Sequence, residues 1–461
     1  MSHNIILNTD SYKQSHFLQY PPRTQFVYSY IESRGGEYEK TLFFGLQMFI
    51  KEYLTKPITQ ADVDEAEAVV TAHGIPFNKA GWEHILKEHN GYLPIRILAV
   101  PEGTLVTTGN VLVRVENTDP MVPWLTSFME TALLRAVWYP TTVATVSYRI
   151  KQIIKHYLEV TGDPKLLPFK LHDFGSRGVS SAESAGIGGC AHLVNFMGTD
   201  TMEALLYAKK YYGCEMAGFS IPAAEHSTIT SWGEEHEAEA YLNMIKRFAG
   251  KDKLYAVVSD SYDIISAVDK LWGGVLKRDV LKSGGTVVIR PDSGDPATVV
   301  LQVAQLLNKH FGYTLNVKGF KVLHPAVRII QGDGINEESI KDILNTLCNA
   351  GYSADNIAFG MGGALLQHMN RDTCKFAMKA SCIQLDYHFR DVFKNPKTDP
   401  GKASKRGILQ LFKDKDGNFK TVNVTHKDPQ GMERMLQVVF DEGGVFTEDT
   451  FDNIRQRAER G

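Results

Sequence analysis

Cysteine is scarce in this chain of 461 residues: five thiols, at Cys190, Cys214, Cys348, Cys374 and Cys382, odd in number and never in CxxC spacing. That pattern supports neither a disulfide framework nor a zinc site, and leaves most of the thiols as small buried hydrophobes. Excess charge is missing as well. The formal net charge is −3, so the chain lacks the basic surplus of a general nucleic-acid binder, and acidic ligands must be met by local Arg and Lys clusters. No stretch reaches the roughly 18 apolar residues of a membrane span, and MSHNIILNTDSYKQ carries neither a basic leader nor a long apolar core. A cytoplasmic protein with no nucleic-acid or membrane partner is the expectation. Two nucleotide signatures are absent too. GxxxxGK[ST] occurs nowhere and no GxGxxG opens an early βαβ unit, which disfavours a P-loop NTPase and a dinucleotide dehydrogenase.

What is present is an ordinary globular composition, 43% hydrophobic and 22% charged, long enough for a large core and more than one domain. One stretch organises the rest. In TVVIRPDSGDP (Thr286 to Pro296) a β-branched apolar run stops at Arg290 and breaks into Pro291, Asp292, Ser293, Gly294 and Asp295. This reads as a buried strand, then a loop, then a helix over Ala297 to Asn308 with Pro296 in its first turn. A cation and two carboxylates at one strand end suit an anionic, metal-bound ligand, although the same residues also make a salt-bridged structural corner. Five more segments repeat the pattern: PFKLHDFGSRG, GFSIPAAEHS, LYAVVSDSYD, VRIIQGDG and NIAFGMGG. Strand, polar tip and helix in series predict an irregular (β/α) barrel whose tips build one active face, with a doubly wound sheet as the alternative.

Outside that series the pattern differs. Asn4 to Thr9 reads as a short strand, with Asp10 or Ser11 capping a polar helix, and Phe26 to Arg34 alternates as a half-buried strand. Helices are expected over Leu42 to Leu54, Gln60 to His73 and Lys79 to Glu88. IRILAVP and LVTTGNVLVRVEN follow, with a hairpin at Gly109 and Asn110. Residues 26–119 show no evident chemistry and read as a packing domain. Val122 to Thr161 is helical, punctuated by Pro123 and Pro140. After the last βα unit come a strand in CKFAMKASCIQL, the basic loop FKNPKTDPGKASKRG, a hairpin around Asp416 and Gly417, and a closing helix FDNIRQRAER.

The strand tips hold the candidate chemistry. Phe174 is either core or a face on which a flat heteroaromatic ring stacks, and Asp200 before the helix Met202 to Tyr212 is first of all an N-cap. Glu225 and His226 stand before a Ser/Thr-rich helix start, where a histidine can act as base or phosphate acceptor. Gln331 to Gly334 and Gly360 to Gly363 are glycine turns that let backbone N–H groups approach an anion, the second opening a helix over Ala364 to Asn370.

The blocks NTDSYKQSH, YPPRT, HDFGSRGVSS, GIGG, HLVNFMGTDT, PAAEHSTITSWG, VVSDSYDI, IRPDSGDP, IQGDG and GMGGALLQ, in this order from near residue 4 to the final FDNIRQRAE, resemble the nicotinamide phosphoribosyltransferases. The resemblance covers essentially the whole chain and implies a type II phosphoribosyltransferase: a homodimer with an irregular (β/α) barrel over 121–375 and a flanking α+β domain built from 26–120 and 376–461. Residues 1–25 would be an arm reaching the partner's site. The implied reaction joins nicotinamide to phosphoribosyl pyrophosphate with Mg2+, and couples ATP hydrolysis through a phosphohistidine at His226 beside Glu225. By the same resemblance the nicotinamide ring lies between Phe174 and the arm's Tyr12, near Asp10, with Asp200 on its amide NH2 and Arg177 on its carbonyl side. Arg290, Asp292, Gly332, Asp333, Gly362, Gly363 and Arg371 would hold ribose and phosphates. Arg34, Lys379, Lys394 and Lys402 would face pyrophosphate or ATP, and Asp260 or Asp292 the metal. Ser176, Ala256, Ala377 and Met378 depart from the animal members, where Tyr, Ser, Ser and Phe are expected.

Overall fold

The computed structural model describes residues 4–398 and 403–461, and the chain divides into two compact units. The first comprises Met1–Thr145, Lys210–Cys214 and Met369–Gly461. Its centre is a seven-stranded sheet in the order His388–Asp391, Phe376–Leu385, Thr24–Ser33, Val111–Asn117, Ile95–Ala99, Gln437–Asp441, Gly444–Val445, antiparallel throughout. Strands from both ends of the chain therefore interleave in one sheet. Val27, Ser29 and Ile31 on one face of the Thr24–Ser33 strand are buried, and from Ser29 to Ser33 the other face is buried too, so the half-buried alternation expected from the sequence holds only at the start of the strand. Against that core pack Trp82, Trp124 and Phe128, with Trp82 edge-on to Trp124 at 4.8 Å.

Local sequence signals explain most element ends here. Thr59 and Asp62 form a reciprocal capping box at the start of Gln60–Ala72, and Asn78 accepts from Gly81 N at the start of Lys79–Glu88. The closing helix Phe451–Arg460 is capped by Thr450, and Leu409–Lys413 pairs with Phe419–Asn423 in the expected hairpin. Three expectations fail. Asn4 to Thr9 is no strand but a 3-10 turn, Ile5–Leu7, because the Asn4 side chain accepts from Ile6 N and pulls the backbone tight. The helix expected from Leu42 begins only at Leu46, since Lys40–Leu42 is a strand paired with Leu105–Thr107. That pairing also defeats the hairpin at Gly109: the turn is there, with φ +78°, but the strands it joins take other partners. No disulfide joins any of the five cysteines, and Cys190, Cys374 and Cys382 are buried.

The second unit, Val146–Lys209 and Glu215–His368, holds a six-stranded parallel sheet. Its order is Gly198–Thr199, Leu171–Asp173, Ile357–Met361, Val327–Gln331, Thr286–Arg290, Leu254–Val258. Four of the five further strand segments expected beside Thr286–Arg290 appear. The fifth, GFSIPAAEHS, forms no regular strand; Pro222 cannot donate to a ladder, and only isolated bridges form. Those bridges matter, because Phe219 pairs with Gly198 at one sheet edge and Ala223 with Ala256 at the other. The curled sheet is thus joined through a single irregular segment into a (β/α) barrel. Inside, Ala256, Val288 and Ile330 pack with Ile221, Ala358 and Phe174.

Helices cover the outside. Pro296–Phe311 starts with Pro at its first turn and Asp295 accepting from Thr298 N at 2.9 Å, and it buries Val300, Val303, Ala304, Leu307 and Phe311 along one stripe. Trp272 is fully buried, stacks on Tyr241 at 4.6 Å and donates its indole N–H to Ser259 Oγ at 3.0 Å. Trp272→Ala is expected to cost about 3–5 kcal/mol by cavity formation, and Trp272→Phe on the order of 1 kcal/mol through the lost hydrogen bond. Urea unfolding followed by circular dichroism checks the ranking, and equal losses in both variants would show that the indole N–H, not the ring volume, dominates.

Candidate active site

Parallel register places neighbouring strand ends at one rim of the barrel. Val258 stands opposite Arg290, Gln331 opposite Phe359, and Met361 opposite Asp173. Ser259 N–H donates to Arg290 O at 3.0 Å and carries that ladder one residue further. Asp260, Asp292, Gly332, Gly362 and Phe174 therefore leave the sheet side by side. This is the edge where barrels build their sites.

Arg290 forks onto Asp292, with Nε donating to Oδ1 at 3.1 Å and Nη2 to Oδ2 at 2.8 Å. The Asp292 backbone N–H donates to Asp260 Oδ2 at 3.1 Å, while Asp260 Oδ1 meets His226 Nε2, also at 3.1 Å. His226 Nδ1 lies 4.0 Å from Asp292 Oδ2. Four charged or titratable residues thus form one connected chain, in which the Asp260 side chain is 4% exposed and the His226 ring 47%. A buried carboxylate behind an open imidazole fixes ring orientation and leaves the other face to solvent.

Glu225 behaves differently from its sequence position. Its carboxylate accepts from the Ser227 hydroxyl, so Asp260, not Glu225, is the acid that meets the imidazole. Sequence reasoning named Asp260 only as a metal ligand. Its place at a strand tip was readable, but not that its strand lies beside that of Arg290, which only the sheet order shows.

Phe174 lies over the glycines. A Cβ at Gly360 would come 1.9 Å from its ring, and one at Gly332 would stand 3.3 Å from both Arg290 Nε and Asp292 Oδ1. The Arg290 guanidinium carbon is 5.7 Å from the Phe174 ring centre. Ala256, one of the departures noted above, sits in the apolar cluster beneath this ring. Gly363 begins a short helix, Gly363–Leu366, which ends well before the Asn370 expected from sequence because the chain turns at Gln367. Asp333 is exposed in the turn after Gly332, and Arg177 is exposed on the turn Ser176–Gly178.

Asp200 is exposed, and its carboxylate accepts from the Ser220 hydroxyl. Its backbone N–H donates to Asp173 O at 2.9 Å. Asp173 itself was missed as a supporting residue. It is fully buried, accepts from Gly175 N at 2.7 Å and from Thr199 Oγ1 at 3.4 Å, and so fixes the turn that presents Phe174.

The remaining candidates belong to the first unit. Asp10 stands at the N-cap of the 3-10 helix Ser11–Leu18, yet its carboxylate accepts from the Thr131 hydroxyl instead of capping. A cleft of about 230 Å³ is lined by Asp10, Tyr12, Glu130, Arg135, Trp138 and Arg371, among others. Lys13 pairs with Glu130 at 2.7 Å, and Lys379 approaches the same carboxylate at 3.5 Å. Arg34 pairs with Glu32 at 2.9 Å, and Arg371 with Asp372 at 3.1 Å. Lys394 is exposed. Lys402 lies outside the described residues.

The sequence model of the nicotinate phosphoribosyltransferase (NAPRTase) family matches residues 169–444, more than half of the chain, and that of the nicotinamide phosphoribosyltransferase N-terminal domain matches residues 4–97. The chain belongs to the nicotinate phosphoribosyltransferase family. A protein of Xanthomonas campestris named nicotinamide phosphoribosyltransferase is 54% identical over 99% of this chain and 98% of its own length. Another of that name from Acinetobacter baylyi is 33% identical over 97% and 95%. Among solved structures, a nicotinate-nucleotide pyrophosphorylase from Pyrococcus furiosus superposes with TM-score 0.63 at 16% identity, covering 99% of this chain and 95% of that one. Human nicotinic acid phosphoribosyltransferase does so with TM-score 0.56 at 18% identity, covering 98% and 93%. Those two structures share the fold, the barrel of the type II phosphoribosyltransferases.

Burial of the Asp173 carboxyl, only partly offset by its hydrogen bonds, pushes it up to about 6. The folded chain therefore keeps a proton between about pH 4 and pH 6 that the unfolded chain gives up, so this group lowers stability as pH rises through that window. Asp173→Asn removes the effect while its amide oxygen can still accept from Gly175. Relative to the parent, the variant is expected to gain on the order of 3 kcal/mol between pH 4 and pH 7. Urea unfolding across that range checks it, and parallel pH profiles would place the ionisation elsewhere.

Proposed function

We propose that the chain transfers the phosphoribosyl group of phosphoribosyl pyrophosphate to nicotinamide, releasing pyrophosphate and forming nicotinamide mononucleotide in NAD salvage. The observation that carries the chemistry is the connected set His226, Asp260, Asp292 and Arg290 at adjacent strand ends beside Phe174. The choice of nicotinamide rests on the names of the 54% and 33% identical relatives and on the exposed carboxylate of Asp200.

In this reaction the pyridine nitrogen attacks the anomeric carbon as the bond to pyrophosphate breaks. Positive charge develops on the ribose and negative charge on the leaving group, so the site needs carboxylates at one end and cations at the other. Asp292 and Asp333 serve the ribose hydroxyls. Arg290, forked onto Asp292, turns its donors to phosphate, and the glycines at 332, 362 and 363 let the backbone come close. Phe174 supplies one face for the pyridine ring, and Arg177 its carbonyl side. Asp200 accepts from the carboxamide NH2 and repels the carboxylate of nicotinate.

Asp260 and Asp292 are the donors that would hold Mg2+. Two carboxylates beside a phosphate site fit an ion that usually takes one or two carboxylates and completes its shell with substrate phosphates and water. When bound, Mg2+ supplies charge neutralisation on the pyrophosphate. Asp260 engages Nε2 of His226, which leaves Nδ1 to attack the γ-phosphorus of ATP, forming a P–N bond as ADP leaves. The enzyme works as a homodimer. The exposed Tyr12 ring, near Asp10 on the N-terminal arm, serves the nicotinamide of the partner's site; Arg371 joins the ribose and phosphate contacts, and Arg34, Lys379, Lys394 and Lys402 face pyrophosphate or the ATP phosphates, in a cytoplasmic setting.

Parallel assays with nicotinamide and nicotinate test the substrate. Asp200→Asn is expected to reduce the preference for nicotinamide by about ten- to a hundredfold, the scale of a like-charge clash at an exposed position, whereas a wild-type preference for nicotinate would overturn the assignment. His226→Ala is expected to retain slow transfer without ATP and to lose its stimulation by ATP. Unaltered ATP stimulation in that variant removes His226 from the coupling.

A further inference from the structure

Three side chains outside the barrel converge in a way that the transferase chemistry does not use. His84 lies on the helix Lys79–Glu88, His89 caps its C-terminal end, and Asp119 follows the strand Val111–Asn117. Both imidazoles turn Nε2 toward the same carboxylate oxygen, Asp119 Oδ2, at 2.6 and 2.8 Å. The three donor atoms all lie within 4.8 Å of one another, and the side chains of His84, His89 and Asp119 are 28%, 17% and 13% exposed. The rings are not stacked. They approach at 64° with centres 6.0 Å apart, so their nitrogens point inward from different directions.

The carboxylate is held in place independently of the histidines. Asp119 Oδ1 accepts from Met121 N at 2.8 Å, and the Asn117 side chain donates to Asp119 O at 2.8 Å. A second acid stands behind one ring, with Glu442 Oε2 at 3.9 Å from His89 Nδ1. Among the described residues no other group of this kind brings three such donors together.

We infer that His84, His89 and Asp119 form a binding site for a divalent cation of borderline softness, Zn2+ foremost. Two imidazoles and one carboxylate are a donor set that zinc takes, with water in the fourth position of a tetrahedron. Bonds of about 2.0–2.1 Å set ligand-to-ligand edges near 3.3 Å, so entry of the ion spreads the present contacts by roughly half an ångström. A histidine that ligates through Nε2 offers that nitrogen's lone pair and carries its proton on Nδ1. On His89 that proton then faces Glu442, the arrangement by which an outer carboxylate orients a ligating imidazole. The ion ties the end of a helix to the segment after a central strand, and Glu442, from the turn between Gln437–Asp441 and Gly444–Val445, stands behind one of the ligands. Cysteine spacing gave no hint of it, because no thiol takes part.

The test is equilibrium dialysis of the full-length chain, stripped with a chelator and free of any affinity tag, against Zn2+. About one tightly bound Zn2+ per chain is expected, with affinity about a hundredfold weaker or worse in His89→Ala and Asp119→Asn and about tenfold weaker in Glu442→Gln. His73→Ala, an exposed histidine elsewhere in the same unit, is expected to bind as the parent does. Co2+ gives a readout on the unaltered chain: a strong visible band of tetrahedral type supports the site, and the weak octahedral spectrum overturns it. Zn2+ binding that is absent, or equal in parent and ligand variants, also overturns it and leaves the trio as hydrogen bonds alone.

Discussion

The fork between Arg290 and Asp292 is the contact on which the barrel's working end depends. A guanidinium and a carboxylate two residues apart satisfy each other at the end of a buried strand, where either alone would pay a desolvation cost with no partner. Their pairing holds the loop after Arg290 in a shape that offers the Asp292 amide to Asp260, and Asp260 in turn sets the imidazole of His226. One ion pair therefore carries order from the strand, through a backbone bond and a second carboxylate, to an open ring. A guanidinium fork of this kind is geometrically suited to two oxygens of a carboxylate or of a phosphate.

Much of this was legible in the sequence. The βα alternation and its polar tips could be read from residue types alone, because a strand buried on both faces must be a short apolar run and its tip must be polar. Arg290, Asp292, Phe174 and the glycine turns stood at such tips, and the structure brings them to one rim. The irregular closing segment was not legible as what it is. Its apolar residues suggested a strand, but Pro222 and single-residue bridges make it a seam. Partnerships across strands were harder still. Nothing local distinguishes Glu225, adjacent to His226 in sequence, from Asp260, adjacent to it in space, because register between parallel strands is a tertiary fact. Asp10 shows the same limit: as a cap it was read from its neighbours, while its actual partner, Thr131, lies 121 residues away.

The barrel also tolerates buried polarity where it organises the rim. Asp173 is fully buried, and its bonds to Gly175 and Thr199 order the turn beneath Phe174. Lys170 on the same strand segment is enclosed too, with its ammonium donating to the carbonyls of Ala354, Asp355 and Ile357. Such groups cost stability when measured singly. Their return is a uniquely shaped strand end, since apolar packing alone would accept several neighbouring shapes.

The interleaved sheet of the first unit has a consequence for how the chain comes into being. The strand Thr24–Ser33 is paired on one side by Val111–Asn117 and on the other by Phe376–Leu385, and Ile95–Ala99 waits for Gln437–Asp441. On a ribosome that extends the chain from its N-terminus, the whole barrel is synthesised before those two partners emerge. During that interval two strands of the sheet have open edges, the kind of surface that invites pairing with another chain. The unit that starts first is thus the one that must finish last, and its exposure time is set by the length of everything inserted within it.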